Sequence, residues 1–179
     1  MTDSRANLLL HPVRMRIVMA AAGREVTAAD LAAALPDVPQ ATLYRHINRL
    51  ARGGVLAVVA QRRVRGLVQK VYALAGPDAA FLSAADAAAL SKDDQRQLFA
   101  AFASALVANF EQYLASAEQP NLAADGVGFQ LHPLYLSDAE LAEFAHRLSE
   151  VIGPLLANAP SPERRRRLLA TVIMPFAET

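Results

Sequence analysis

At Gly53-Gly54 the hydrophobic period of the chain changes from about 3.6 to 2, and this shift restricts the fold more than any other feature. Before it, Leu43, Ile47 and Leu50 recur at i, i+4 and i+7, the spacing of one buried helix face within residues 40–52. After it, residues 55–60 and 67–74 are rich in β-branched side chains and read as two strands. Residues 61–66, QRRVRG, read as the hairpin tip, with Gly66 where a turn needs it. Two more helices are predicted upstream. His11-Pro12 opens the first, with proline at a position whose missing N–H costs nothing, and Gly23 ends it. Thr27, followed three residues later by Asp30, caps the second, and Leu31 and Leu35 are its core pair. Residues 1–6 are polar and read as frayed. Residues 7–75 therefore read helix, helix, helix, strand, strand, with a tight Pro36-Asp37-Val38-Pro39 connection.

Charge separates the two parts of the chain. The formal net charge of +1 conceals 11 basic and 4 acidic residues in 1–75, against 7 and 13 in 76–179. No acid occurs between Asp37 and Asp78, a stretch holding Arg45, Arg49, Arg52, Arg62, Arg63, Arg65 and Lys70. A fifth of all residues are charged, so this asymmetry points to a polyanionic partner rather than to an ordinary solvated face.

Gly76-Pro77-Asp78 marks a predicted boundary, giving domains 1–76 and 77–179. In the second, a short helix follows Ser83, and a long one starts after the Ser91 cap and runs to about Ser116. Leu98, Phe102, Leu106, Phe110 and Leu114 repeat at i+4 along it and read as core or dimer seam. Residues 127–136 alternate and read as a strand, with Pro133 marking an edge or bulge. Ser137 and Glu140 form a capping box for a helix bearing Leu141, Phe144, Leu148 and Leu155. Residues 168–176 read as a last strand after four arginines, 164–167, taken as its solvated lead-in. The fold class expected is α+β, mainly helical: a winged helix-turn-helix domain plus a small helix–strand–helix–strand domain for dimerisation and effector binding.

Two short helices, a tight turn and a helix with an exposed basic side make a helix-turn-helix, and a hairpin behind it makes the winged form. Opposite the buried face of residues 40–52, Ala41, Arg45, Asn48 and Arg52 project, flanked by Gln40, Thr42, Tyr44 and Arg49. Arg45 can fork onto guanine, and Gln40 or Asn48 can pair with adenine. Ala41 permits close approach, and Arg49 and Arg52 suit phosphates. Arg62, Arg63 and Arg65 at the tip suit backbone or minor-groove contact. His46 lies at the edge of the buried face, closer to helix packing or a phosphate than to a base. Arg14 and Arg16 read equally as partners of acids within the domain.

The ordered set HPVRMRI (11–17), ATLYRHI (41–47), LARGGVL (50–56), Arg65-Gly66 and VYAL (71–74) resembles the arsenic-repressor-like (ArsR) winged-helix family of bacterial regulators. The resemblance covers about residues 7–75. It implies a cytoplasmic homodimer that binds a near-palindromic operator on double-stranded DNA and usually represses. By position it places Thr42, Tyr44, Arg45, His46, Arg62, Arg63 and Arg65 at the DNA. The family's metal sensors typically use paired cysteines, and this chain has no cysteine. Its histidines, His11, His46, His132 and His146, show no i, i+4 pairing, so no metal and no cofactor are expected.

Several classes are disfavoured. There is no run of 18 or more apolar residues and no signal-peptide pattern, so no membrane partner is expected. Gly126-Val127-Gly128 lacks a third glycine, no nucleophile elbow occurs, and the adjacent Asp93 and Asp94 point different ways on a helix, so no enzyme is expected. The reading is a DNA-binding regulator, with room in the C-terminal half for a small hydrophobic effector. The alternative is a winged helix used for protein–protein contact, which would tolerate charge reversal at Arg45.

Overall fold

The computed structural model describes residues 5–64, 66–76, 79, 84–116 and 118–176. The chain divides into two units, Met1–Glu118 and Gln119–Thr179. In the first, α1 (Arg5–Leu9), α2 (Pro12–Ala21), β1 (Val26–Thr27), α3 (Ala28–Ala34), α4 (Gln40–Arg52), β2 (Leu56–Val64), β3 (Leu67–Leu74), α5 (Ala84–Ala88) and α6 (Lys92–Ser116) follow one another. The second holds α7 (Asp138–Leu156). The whole is mixed helix and sheet.

Local chemistry sets the boundaries of these elements. His11 caps α2 through its Nδ1, which accepts from the Val13 N–H at 3.2 Å, and Pro12 follows in the first turn. Thr27 and Asp30 form a full capping box on α3. The end of α4 is a Schellman motif: the Val55 N–H donates to the Leu50 carbonyl and the Gly54 N–H to that of Ala51. Gly54 takes the left-handed conformation, φ 72°, which this motif assigns to glycine. Val55 and Leu50, fully buried, supply its accompanying apolar contact. That single motif converts the recognition-type helix into the first strand of the hairpin.

The sheet order is β1-β3-β2, antiparallel throughout. Val26 pairs with Tyr72 and Leu56 with Leu74, with a bulge between Val58 and Ala60. The core gathers Leu8, Leu9, Ile17, Leu31, Leu35, Leu43, Ile47, Leu50, Val55 and Leu56 beneath α2, α3 and α4. Burial of these aliphatic side chains, each worth about 1.5–3 kcal/mol, is the main stabilising term.

Four expectations change. Arg5 and Ala6, expected to be frayed, begin a helix instead: α1 is helical over Arg5–Leu9 and inserts Leu8 and Leu9 into the core. Arg14, itself buried, donates to the carbonyls of Leu8 (2.5 Å) and Asn7 (2.6 Å), satisfying acceptors at the end of that short helix. The first unit also does not stop at residue 76. It continues through α6, whose Ala101 and Ala105 are buried and whose Leu98 and Phe102 pack on the core. Small alanines let α6 lie close to α2, and the Asn109 amide reaches the Met19 sulfur at 3.9 Å.

Third, residues 61–64 belong to β2 rather than to a loop, with Val64 paired to Leu67 of β3. Fourth, residues 127–136 and 168–176 form no strand. A strand exists only with a ladder partner, and alternation alone does not supply one. The helical expectations downstream hold: α6 begins after the Ser91 cap, and α7 begins at the Ser137–Glu140 capping box. The helix expected after Ser83 is α5; Ser83 itself lies outside the described residues. By length and composition α6 could cross a membrane, which counting uninterrupted apolar residues did not anticipate. Its buried alanines and the Gln112 hydrogen bond to the Ala34 carbonyl tie it instead to the helical core.

Candidate nucleic-acid interface

Helix α4 is divided lengthwise. Leu43, His46, Ile47 and Leu50 are buried. Gln40, Ala41, Tyr44, Arg45, Asn48, Arg49 and Arg52 are exposed, and Thr42 is half-buried. Seven of the expected contact residues thus share one solvent face. Among the described residues, Arg45 and Arg52 form no ion pair with an acid. The N-terminus of α4 carries no side-chain cap, because Pro39 precedes it, so the first turn's N–H groups face outward. Arg16 clamps the connection before it, with both guanidinium N–H groups on Asp37 at 2.7 and 2.6 Å. This pairing holds the Asp37 carboxyl below its ordinary range and leaves Arg16 engaged within the domain.

His46 is the exception among the expected contacts. It is 5% exposed, and its ring lies tilted against that of His11, with centroids 4.4 Å apart and the planes at 46°. It sits under α4, not on the groove side, because residue 46 falls about 40° beyond Leu50 on the helical wheel, at the edge of the buried stripe of Leu43, Ile47 and Leu50. Burial, then His11 and the guanidiniums of Arg14, Arg45 and Arg49, push its pKa down to about 4. Burial and the same three arginines also lower His11. Both imidazoles are therefore neutral at neutral pH, and the cationic character of this face belongs to arginine alone.

The sign of the stability effect follows. As pH falls, the unfolded chain takes up a proton at His46 near 6.5, whereas the folded chain resists until about 4. Stability is therefore lost as pH falls through that window and is flat above it. We expect His46 to remove about 2 kcal/mol between about pH 7 and about pH 5. Thermal melts of wild type and His46→Phe across that range check this, since the variant should lack that portion of the slope.

The hairpin modifies the other half of the expected interface. Arg62 and Arg63 are exposed but are neighbours in strand β2, so they emerge on opposite faces rather than together at a tip. Arg62 approaches Glu25 at 3.7 Å, both side chains being more than half exposed. Such a pair is worth about 0–1 kcal/mol and can be exchanged for a phosphate. Arg65 lies outside the described residues. Gly66 turns the chain with φ 83°.

The expected dimer stripe also divides. Leu98 and Phe102 pack on the core, whereas Leu106, Phe110 and Leu114 are half-buried. An i+4 repeat drifts about 40° per step around a helix, so a stripe that starts inward turns sideways within a few turns. Phe99, 52% exposed, and Val107, 61% exposed, share that sideways surface. Nothing in the i+4 pattern reports this second face; the 4-3-4 spacing of Phe99, Ala103, Leu106 and Phe110 does.

Three helices around one apolar core, the third exposing a cationic face and leading into a hairpin, define a helix-turn-helix of the winged type. Comparison with known families agrees: residues 9–59, from the end of α1 into β2, match the model of a helix-turn-helix domain. No curated protein matches the chain. A helix-turn-helix domain points to DNA-binding regulation.

Proposed function

We propose that this protein is a sequence-specific, double-stranded-DNA-binding transcriptional regulator of the ArsR-like kind, acting in the cytoplasm as a homodimer on a near-palindromic operator. The observation that carries the reading is the division of α4: an inner face of Leu43, Ile47 and Leu50 with the neutral His46 at its edge, and an outer face bearing Gln40, Ala41, Arg45, Asn48, Arg49 and Arg52. A helix of this kind fits the major groove, with its N-terminal residues at base edges. Arg45 would read guanine, Gln40 or Asn48 adenine, and Arg49, Arg52, Arg62 and Arg63 would neutralise phosphates. Arg65 is assigned to the wing by position alone. Two-fold symmetry would double each contact, with Leu106, Phe110 and Leu114 of α6 at the seam.

Four phosphate contacts per copy predict a slope of about −7 in log K against log salt for two copies. Fluorescence anisotropy with duplexes from the promoter of its own gene measures it. Absence of specific binding to any such fragment, at low and high salt, removes the reading. Repression, and its relief by a small hydrophobic ligand, belong to the same proposal. Ligand titration against the DNA complex tests them.

A further inference from the structure

The corner between α1 and α2 grips α4 at two points. At the end of α4, Leu8 packs against Gly53, where a side chain of even one carbon would overlap the Leu8 Cδ1. Further up the helix, the ring of the half-buried His11 lies 4.4 Å, centroid to centroid, from that of the buried His46. These two contacts set where α4 stands on α2.

Both rings fit this joint only as neutral imidazoles. His11 Nδ1 caps α2 by accepting from the Val13 N–H at 3.2 Å. An imidazolium carries hydrogen on both ring nitrogens, so protonation turns that acceptor into a donor and uncaps the helix. His46 Nδ1 is sealed from solvent and has no hydrogen-bond partner. Its cation would bury an N–H without an acceptor. No acid offsets the charge either. The charged groups that act on the two rings are Arg14 of α2 and Arg45 and Arg49 of α4, with His11 itself acting on His46. From α1 come carbonyls, and those of Leu8 and Asn7 are taken by Arg14. A Ser, Thr or Asn cap in place of His11 would not change state near neutral pH, whereas an imidazole does.

We propose that His11 and His46 are a proton-labile joint: as neutral rings they hold α4 to α2 in its DNA-binding position, and protonation of either ring opens the joint and releases DNA. The final step rests on the DNA-binding reading; the joint itself does not. A ring that titrates near its ordinary value in the open joint, and lower in the closed one, shifts the balance toward open by up to about tenfold for each pH unit below about 6.5. Acidification also adds positive charge, which by itself strengthens binding to a polyanion. An opening joint therefore acts against the trend of net charge.

Fluorescence anisotropy with duplexes from the promoter of its own gene, between about pH 7 and about pH 5 at constant ionic strength, tests the proposal together with amide exchange on the DNA-free protein. Wild-type affinity should fall about tenfold or more over that range. His46→Phe keeps a flat ring that takes no proton, and its affinity should stay constant or rise. His11→Asn restores an uncharged cap and should also blunt the fall, which covers the case of a phenylalanine that packs poorly. Gly53→Ala loosens the other grip, so it should bind more weakly at every pH and keep the wild-type pH dependence. In the DNA-free protein the Val13 amide, corrected for its intrinsic exchange rate, should lose protection on acidification. The Val55 amide, bonded to the Leu50 carbonyl, should keep it.

A wild-type affinity that stays flat or rises in acid overturns the proposal. So does a fall that both histidine variants retain in full, which assigns it to the DNA or to another group. Loss of protection at Val13 and Val55 together overturns it as well, because the whole unit then unfolds. If no duplex binds at any pH while Val13 alone is released, the regulator reading fails and the joint stands. If Val13 also stays protected, both fail.

Discussion

Arg45→Ala is expected to cost each copy about 1–3 kcal/mol of DNA affinity, roughly five- to a hundredfold or more, while leaving the melting transition within about 0.5 kcal/mol of wild type. The reason is geometric. Arg45 projects from the exposed face of α4 and pairs with no acid among the described residues, so removing it breaks no intramolecular ion pair. Its planar fork matches the two acceptors of guanine, so the loss should fall on one base pair of each half-site. Arg52→Ala, further along the helix, should weaken all sequences alike and reduce the salt slope by about 1 per copy. Anisotropy against a set of single-base operator variants separates the two. A uniform loss in Arg45→Ala would assign that guanidinium to the backbone instead.

Ile47→Ala, two residues on, should do the opposite. Ile47 is fully buried beneath α4, in one cluster with Leu43 and Leu50. Truncation removes the transfer energy of the lost methyl and methylene groups and leaves a cavity, at about 2–5 kcal/mol. Small domains hold about 5–15 kcal/mol in total, so this is a large share of the stability of the first unit. The melting temperature should fall by several degrees per kcal/mol. DNA binding at low temperature, measured on the folded fraction, should change little. Asn48→Ala, exposed on the other side of the same helix, gives the comparison: near-normal melting, weaker binding.

The contrast between these neighbours explains why so much of the first unit was readable from the residues. Leu43, Ile47 and Leu50 repeat with the helical period, Gly53-Gly54 stop the repeat, and Thr27 with Asp30 starts the helix before it. Each of these signals acts within a few residues of its cause. Where the cause was distant, the residues were silent. The two-residue strand β1 exists only because β3 lies beside it. The burial of Leu8 and Leu9 depends on Arg14 meeting the carbonyls of α1. His46 is polar by type and buried by position, and only the neighbouring His11 ring shows which of these prevails.

Downstream, the same limit produced the larger errors. The capping boxes at Ser91 and Ser137 gave both helix starts correctly. The stripe on α6 appeared as one face because an i+4 count cannot tell a straight stripe from a drifting one. Residues 127–136 and 168–176 alternate as strands do, yet pairing needs a partner that no alternation can name.

The residues alone determined three helices and a hairpin, the ends of those helices, and an acid-free arginine-bearing stretch on the third. Periodicity, capping and charge are properties of neighbours along the chain, and they survive without tertiary contacts. Only the folded molecule decided that α6 joins the first unit, that Arg62 and Arg63 part company on β2, that His46 is hidden, and that no described residue of 119–176 is fully buried. Those outcomes turn on which surfaces meet across distances the chain does not encode locally, where packing rather than propensity sets the free energy.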